Sequence, residues 1–278
     1  MPPARSFDWN NLAVRVISGA TLAGAALWTV RTFDPLSGVR RTPFLVMMMV
    51  GGGLLGFEWT AMAVGRRASA TAAVTMAAIL VVVLLAYFRL YASAWACVIV
   101  GALAAAWAAR GVADRAIDAA YGVLYIAPAC LVILWLIGTR QGPGWTLMLF
   151  ATTWAADIAA YLAGNAFKGP KLWPRYSPNK TWSGLIGGLV GAVGAAVAIA
   201  AWFMHLSLAG AAVIGLAGGL ATMAGDLFES MLKRRFGVKD SGDIIPGHGG
   251  LLDRVDGLMF AVMVFAVARL VDRLGWAH

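Results

Sequence analysis

Long apolar stretches, separated by short polar segments, run through almost the whole chain. Nine of them approach or exceed the roughly 20 residues that a membrane-spanning helix needs. They cover residues 13–31, 43–64, 70–88, 91–109, 119–138, 144–163, 184–204, 206–225 and 256–275. Because the stretches are continuous and do not alternate at ten-residue length, a transmembrane barrel is not expected. The pattern predicts an all-α, polytopic integral membrane protein with about nine transmembrane helices.

Two of the breaks between these predicted helices are weak. Arg89 and Tyr91 separate the third stretch from the fourth, and the short segment 205–207 separates the seventh from the eighth. Merging either pair would change the number of crossings. The first stretch follows Arg5 and Arg15, and its length also fits a signal peptide. Because many more spans follow it, we interpret it as a retained first helix.

The composition agrees with a membrane protein. Apolar residues make up 61% of the 278 residues and charged residues 13%, against about 45–50% and 25% in soluble domains. This excludes a soluble globular enzyme, a disordered chain and a disulfide scaffold. The two cysteines, Cys97 and Cys130, lie inside apolar stretches, where free Cys behaves as a small buried hydrophobe.

Lys and Arg are divided unevenly between the predicted loops. With nine spans, the N-terminus and the loops after even-numbered helices share one side, which holds 15 of the 22 Lys and Arg residues. Cytoplasmic loops carry such an excess, so the N-terminus is predicted to be cytoplasmic. The net charge of +9 then points to anionic lipid headgroups and a phosphorylated substrate. Basic residues are not interleaved with stacking aromatics outside the apolar spans, so no nucleic-acid partner is expected.

Two polar loops on the predicted cytoplasmic side, residues 164–183 and 225–255, are unlike the rest. Seven of the 13 acids lie between residues 157 and 256. The chain is therefore predicted to divide into an N-terminal transmembrane scaffold, residues 1–143 with helices 1–5, and a C-terminal catalytic half, residues 144–278 with helices 6–9. Glycines at 187, 188, 191 and 194 predict close helix packing in this second half.

The second polar loop has the residues of a metal-dependent phosphate site. Asp226 and Glu229 are three residues apart and share a helix face, and Asp253 and Asp256 repeat this spacing at the start of the last helix. Mg²⁺ is commonly held by one or two carboxylates together with substrate phosphate. These four carboxylates are the candidate metal ligands.

Backbone and basic groups beside these acids suit a phosphate. Gly247, Gly249 and Gly250 surround His248 and free the backbone N–H groups to approach an anion. His248 is a candidate substrate contact, and a structural hydrogen bond is its alternative role. The basic residues that would neutralise phosphate charge are Lys233, Arg234, Arg235, Lys239 and Arg254. Taken as a run alone, they would also fit a solvated loop that anchors the membrane.

Two further acids lie inside apolar spans. Asp157 shares a helix face with Tyr161 and Gly164, and an ionisable residue inside a span is a candidate site residue. A helix-end carboxylate paired with a Lys is the alternative for Asp157. Glu58 in the second span is expected to have a structural role, with a partner inside the helix bundle.

The segment from Ser230 to Asp256 resembles the signature of phosphatidate cytidylyltransferases, the CDP-diacylglycerol synthases. The resemblance follows the pattern S-x-x-K-R-x4-K-D-x-G-x3-PGHGG-x2-DR-x-D, with every fixed position present. Residues 177–184 are similar to the family motif SPxKTxEG, but Ser183 stands where the family commonly has Glu. The helix residues around Asp157 and the pair Glu58-Trp59 also resemble the family.

The resemblance implies that the protein joins CTP to phosphatidic acid, yielding CDP-diacylglycerol and pyrophosphate for phospholipid biosynthesis in the cell membrane. It implies that Mg²⁺ or another divalent cation assists the attack, with an additional monovalent cation and a homodimer left open. The active site would face the cytoplasm. The predicted catalytic residues are Asp226, Asp253, Asp256, Lys239 and His248. The predicted substrate-binding residues are Asp157, Tyr161, Ser177, Lys180, Thr181, Lys233, Arg234, Gly247, Gly249, Gly250 and Arg254.

Two alternatives stay open at this point. The same headgroup residues would serve a CTP-dependent transferase that acts on another lipid phosphate, such as an isoprenoid lipid. A membrane transporter is the more remote alternative. Against it, the polar residues cluster at one interface, and the two halves show no evident repeat, as many transporter folds do.

Overall fold

The computed structural model of the protein describes residues 9–34, 37–65, 68–112, 116–204, 206–245 and 249–274. These residues form nine long helices and one short hairpin. The helices are α1 (Trp9–Thr32), α2 (Gly38–Ala63), α3 (Ser69–Tyr87), α4 (Tyr91–Ala108), α5 (Ala116–Ile137), α6 (Gly142–Phe167), α7 (Trp182–Phe203), α8 (Leu208–Arg235) and α9 (Leu252–Arg273). Strands β1 (Lys171–Trp173) and β2 (Ser177–Thr181) pair antiparallel between α6 and α7.

The helices confirm the all-α membrane architecture predicted from the apolar stretches. Over the described residues, seven helices, α2 to α8, are long and apolar enough to cross a membrane. Each of the nine predicted stretches falls on a helix, and both weak breaks separate two helices. That α1 and α9 also cross stays a prediction.

The bounds of the two polar loops were predicted wrongly. α8 continues to Arg235 and α9 begins at Leu252, so the second loop covers only residues 236–251. The charged end of α8 stays helical because Glu229 and Lys233 form an i,i+4 pair, with 3.1 Å between Oε2 and Nζ. Its basic last turn also suits the negative end of the helix dipole. The first loop is likewise shortened, since α6 continues to Phe167 and the hairpin occupies most of the remainder.

α6 and α7 lie against each other at backbone contact. A Cβ added to Gly187 would lie 2.3 Å from the Cβ of Ala163, and one added to Gly191 would lie 2.7 Å from the carbonyl oxygen of Ala155. The predicted close packing is therefore confirmed at these glycines and at 188. It was wrong for Gly194, whose missing Cβ faces open space.

Contacts at the two ends of the bundle place alternate helix ends on the same side. At one end, Trp59 of α2 donates its indole N–H to the carbonyl oxygen of Asp118 at the start of α5, at 2.8 Å. The Asp118 carboxylate accepts from Arg235 at the end of α8, at 2.6 Å. At the other end, Arg273 of α9 lies 5.3 Å from the ring centroid of Trp135 of α5. The polar loops that follow α6 and α8 share the first of these ends.

Candidate active site

A close crossing of α8 and α9 brings the predicted carboxylates together. A Cβ on Gly225 would lie 2.5 Å from the carbonyl oxygen of Asp256, so a larger residue would force the helices apart. Asp256 of α9 lies close enough to Asp226 and Glu229 of α8 to interact with both electrostatically. The carboxylates whose spacing predicted a shared helix face therefore do lie close together.

Lys233 connects this group to Asp253. Its ammonium donates to Oε2 of Glu229 at 3.1 Å and to Oδ1 of Asp253 at 2.6 Å. Glu229 is fully buried, with 0% of its side chain exposed. A buried carboxylate is costly unless it is paired and hydrogen-bonded, so Lys233 stabilises the acids at the end of α8.

Asp253 organises the loop that precedes α9. Its Oδ2 accepts from the backbone N–H groups of Ser241 and Gly250 and from the Ser241 hydroxyl, each at 3.0 Å. Burial on its own would raise the pKa of the Asp253 carboxyl, but the hydrogen bond and charge of Lys233 and these backbone donors hold the pKa below its usual value. Asp253 is therefore anionic at neutral pH.

The hairpin after α6 supplies a second lysine. Lys180 of β2 forms an ion pair with Asp226, and its ammonium also lies 3.5 Å from the sulfur of Met223. Asp157 of α6 is exposed and lies close enough to interact electrostatically with Asp226, Lys180 and Arg254. The two polar regions that the sequence predicts to form one site thus meet at Asp226 of α8.

The glycines of the second loop have a packing role. The prediction that glycine frees the backbone N–H groups here for an anion is wrong for Gly250, whose N–H donates to Asp253 at 3.0 Å. The backbone N–H of Ile245 donates to the carbonyl oxygen of Gly249 at 2.9 Å, so these two residues of the loop lie side by side. Gly249 has φ +79°, which favours glycine, and a Cβ on Gly250 would lie 2.0 Å from the hydroxyl oxygen of Ser241. Gly247 and His248 lie outside the described residues, so their roles stay predictions.

The remaining predicted residues are spread around this centre. Lys239 is exposed and lines a cavity of about 530 Å³ between α2 and residues 238–244. Arg234 is exposed and donates to the carbonyl oxygen of Val238 at 3.4 Å. Tyr161 is 71% exposed on α6. Ser177 pairs with Trp173 in the register of the hairpin.

Hydroxyl groups at the hairpin serve local structure. Thr181 is buried, and its hydroxyl accepts from the backbone N–H of Gly184 at 3.1 Å, which caps α7. Ser183, which stands where the resembled family commonly has Glu, donates to the carbonyl oxygen of Lys168 and lies 3.1 Å from the Thr181 hydroxyl. Its hydroxyl therefore ties the two ends of the hairpin together.

Glu58 of α2 also belongs to this region, which its place in an apolar span did not predict. Glu58 is 1% exposed and accepts backbone N–H bonds from Leu251 at 2.9 Å and from Leu252 at 2.8 Å. The expectation of a partner inside the bundle is confirmed, but the partners are backbone groups at the start of α9. An acid within an apolar span was the signal that could have drawn attention to it. Ser241, which holds Asp253, had no comparable signal.

The carboxylates of Asp226, Glu229 and Asp256 fit a divalent cation only if substrate phosphate supplies further ligands. Among the described residues, no three His, Cys, Asp or Glu side chains form a group that could hold a metal ion by themselves. Mg²⁺ commonly takes one or two carboxylates and completes its shell with phosphate and water. Oε1 of Glu229 is buried without a hydrogen-bond partner, beside Asp256, and an unsatisfied carboxylate oxygen of this kind suits a cation. Both oxygens of Asp253, in contrast, are already engaged.

Comparison with known proteins extends the likeness over nearly the whole chain. The model of the cytidylyltransferase family matches residues 14–271. A phosphatidate cytidylyltransferase of Brucella suis biovar 1 is 36% identical over 253 residues, covering 91% of each chain. A protein of the same name from Haemophilus influenzae is 44% identical over 129 residues, or 43% of each chain. Another from Pseudomonas aeruginosa is 38% identical over 161 residues, covering 56% of this chain and 57% of the relative.

Proposed function

The chain belongs to the cytidylyltransferase family, and from this premise we propose that it transfers the cytidylyl group of CTP to phosphatidic acid. The products are CDP-diacylglycerol and pyrophosphate. The observation that supports this most directly is the meeting of two lysines with the acids of α8 and α9 at one end of an apolar bundle: Lys180 with Asp226, and Lys233 with Glu229 and Asp253. Such a site suits a substrate that is both strongly anionic and anchored in lipid.

The proposed reaction is a direct displacement at phosphorus. A phosphate oxygen of phosphatidic acid attacks the α-phosphorus of CTP, the bond from the α-phosphorus to the bridging oxygen breaks, and pyrophosphate leaves with that electron pair. Positioning and charge neutralisation supply most of the catalysis in such transfers. Lys180, at the hairpin, would meet phosphate oxygens, and Lys233 keeps the buried acids in place. Arg234, Lys239 and Arg254 add positive charge around the site.

Mg²⁺ or another divalent cation is the cofactor of this proposal, and Asp226, Glu229 and Asp256 would hold it together with substrate phosphate. When bound, it supplies neutralisation of charge on the phosphate oxygens. Asp253 holds Lys233 and the loop that precedes α9. That Asp253 is also a metal ligand stays a prediction. Replacing potassium by choline in an assay of pyrophosphate release tests whether the reaction also needs a monovalent cation.

The proposed topology has nine crossings, with the N-terminus and the active site facing the cytoplasm of the cell membrane. It is supported by the convergence of the ends that follow α2, α6 and α8, which is the side rich in Lys and Arg. Reporter fusions at the two termini test it, since an odd number of crossings puts them on opposite sides. Mass measurement in lipid nanodiscs tests whether the protein is a homodimer.

Pyrophosphate release by purified protein tests the function itself. The assay contains CTP, phosphatidic acid and Mg²⁺, and each is omitted in turn, with EDTA as a further control. Release that requires all three components supports the proposal. Release only with an isoprenoid phosphate would replace the acceptor while keeping the reaction class. Folded protein that releases nothing with any lipid phosphate would contradict a transferase function.

A further inference from the structure

Glu58 of the N-terminal scaffold caps a helix of the C-terminal half. Its two carboxylate oxygens accept from Leu251 and Leu252, which lie 193 and 194 residues further along the chain. The first N–H groups of a helix have no partner inside the helix, and Leu251, at the N-cap position of α9, makes no side-chain capping bond. The carboxylate of α2 therefore fills a place that a local Ser, Thr or Asp usually occupies.

The same carboxylate is enclosed by the loop that holds Asp253. A Cβ on Gly242 or on Gly250 would lie 3.0 Å from Oε1 of Glu58, so both glycines lie directly against it. The Ser241 hydroxyl is within hydrogen-bonding reach of Glu58 and also donates to Asp253. Gly250 likewise donates to Asp253. Glu58 thus contacts both segments of the loop that surround Asp253.

We propose that Glu58 is a positioning residue of the transferase reaction, which fixes the start of α9 and with it the carboxylates of Asp253 and Asp256. This inference rests on the function proposed above. Because Glu58 accepts hydrogen bonds from two successive backbone N–H groups, it sets both the position and the direction of the first turn of α9. Glu58 therefore acts on the reaction indirectly, through the position of α9.

The substitution Glu58→Gln tests this with almost no change in volume. Gln keeps one accepting oxygen and places an NH₂ donor opposite a backbone N–H, so one of the two capping bonds is lost. We expect kcat to fall about tenfold or more, since a 1 Å misplacement costs up to about 10²-fold. The Mg²⁺ concentration for half-maximal activity should rise, because Asp256 moves with α9. The KM for phosphatidic acid should stay within about twofold.

Thr60→Val is the matched control on the same helix. The Thr60 hydroxyl is equally buried but donates only to the carbonyl oxygen of Gly56, one turn back in α2. This variant should keep the wild-type Mg²⁺ dependence. Gly242→Ala is a second probe, which leaves α2 unchanged and places its Cβ against Glu58 from the loop. Its control is Gly53→Ala, because a Cβ at Gly53 would meet its nearest neighbour at 3.8 Å, an ordinary contact distance.

The outcomes separate this inference from the proposed function. Wild-type protein that makes no CDP-diacylglycerol would refute the function, whatever the variants do. Active wild type together with a folded Glu58→Gln protein of unchanged kcat and Mg²⁺ dependence would refute the positioning role. If Glu58→Gln fails to fold, Gly242→Ala decides: the same rise in Mg²⁺ requirement supports the inference, and wild-type behaviour overturns it. A fall in active fraction alone would leave the Mg²⁺ dependence unchanged and would mean a purely structural role.

Discussion

Replacing Lys233 by Met tests whether the candidate site is held together by its own charges. The Lys233 ammonium bridges Glu229 at 3.1 Å and Asp253 at 2.6 Å, and its side chain is only 14% exposed. Met has a similar length and no charge, so the substitution leaves two carboxylates without the cation between them. The protein has few ways to compensate, because Glu229 is entirely buried.

The expected loss of stability is large. Removing one partner of a buried ion pair costs about 3–5 kcal/mol, because the other charge stays buried without compensation. Oε1 of Glu229 already lacks a hydrogen-bond partner, so the substitution would leave its second oxygen unpaired as well. By the scaling for large domains, the loss corresponds to a fall in Tm of about 6–20 °C.

Lys180→Met is the matched comparison. Its ion pair with Asp226 is more open to water, with side chains 24% and 22% exposed. The expected cost is about 1 kcal/mol or less, as for partly exposed pairs. Turnover should nevertheless fall by about 10²-fold or more, because Lys180 is proposed to meet the phosphates and losing one such donor has an effect of that size.

Tryptophan fluorescence during heating measures both variants in the same detergent, since the chain has 12 Trp residues. Pyrophosphate release measures their turnover. We expect Lys233→Met to lose stability and Lys180→Met to lose activity at nearly unchanged stability. A Lys233→Met protein with wild-type Tm would refute the proposed role of Lys233, as would an equal fall in Tm for the two variants.

Three further predictions address the loop, the glycines and the cation. Asp253→Asn should abolish turnover while the protein still inserts in the membrane, as checked by pyrophosphate release and membrane fractionation; near-normal turnover would show that the charge of Asp253 is dispensable. Gly250→Ala should inactivate the enzyme because its Cβ would lie 2.0 Å from the Ser241 hydroxyl oxygen, and Gly194→Ala, which faces open space, should keep wild-type rates in the same assay. EDTA should stop turnover and added Mg²⁺ should restore it; activity that persists in EDTA would contradict the proposed cofactor.

Hydropathy predicted the helices well because each apolar stretch needs a long helix to satisfy its backbone within a membrane. It failed at residues 226–235, where charge density indicated a loop. In the structure these charges find partners on the same helix or on neighbouring elements, as Arg235 does with Asp118. Charge in a sequence does not reveal whether a partner is available, and the partner decides whether the helix continues.

The candidate site, like the fold, was predictable from the sequence only in part. Local spacing was enough to place Asp226 and Glu229 on one helix face, and the structure adds Asp256 to them. The cap from Glu58 to Leu251 was not predictable in this way, because a contact across 193 residues leaves no local pattern. The hairpin was missed for a related reason, since its strands are short and are tied to α6 and α7 by contacts such as that of Ser183 with Lys168.

The backbone contact between α6 and α7 has a consequence for how a lipid reaches the site. Where Gly187 and Gly191 meet Ala163 and the carbonyl of Ala155, no gap the width of a hydrocarbon chain separates the two helices. The acyl tails of a lipid substrate would therefore have no passage between α6 and α7 at these residues. The same contact fixes the distance between α6, which carries Asp157, and the start of α7, which directly follows the hairpin strand of Lys180.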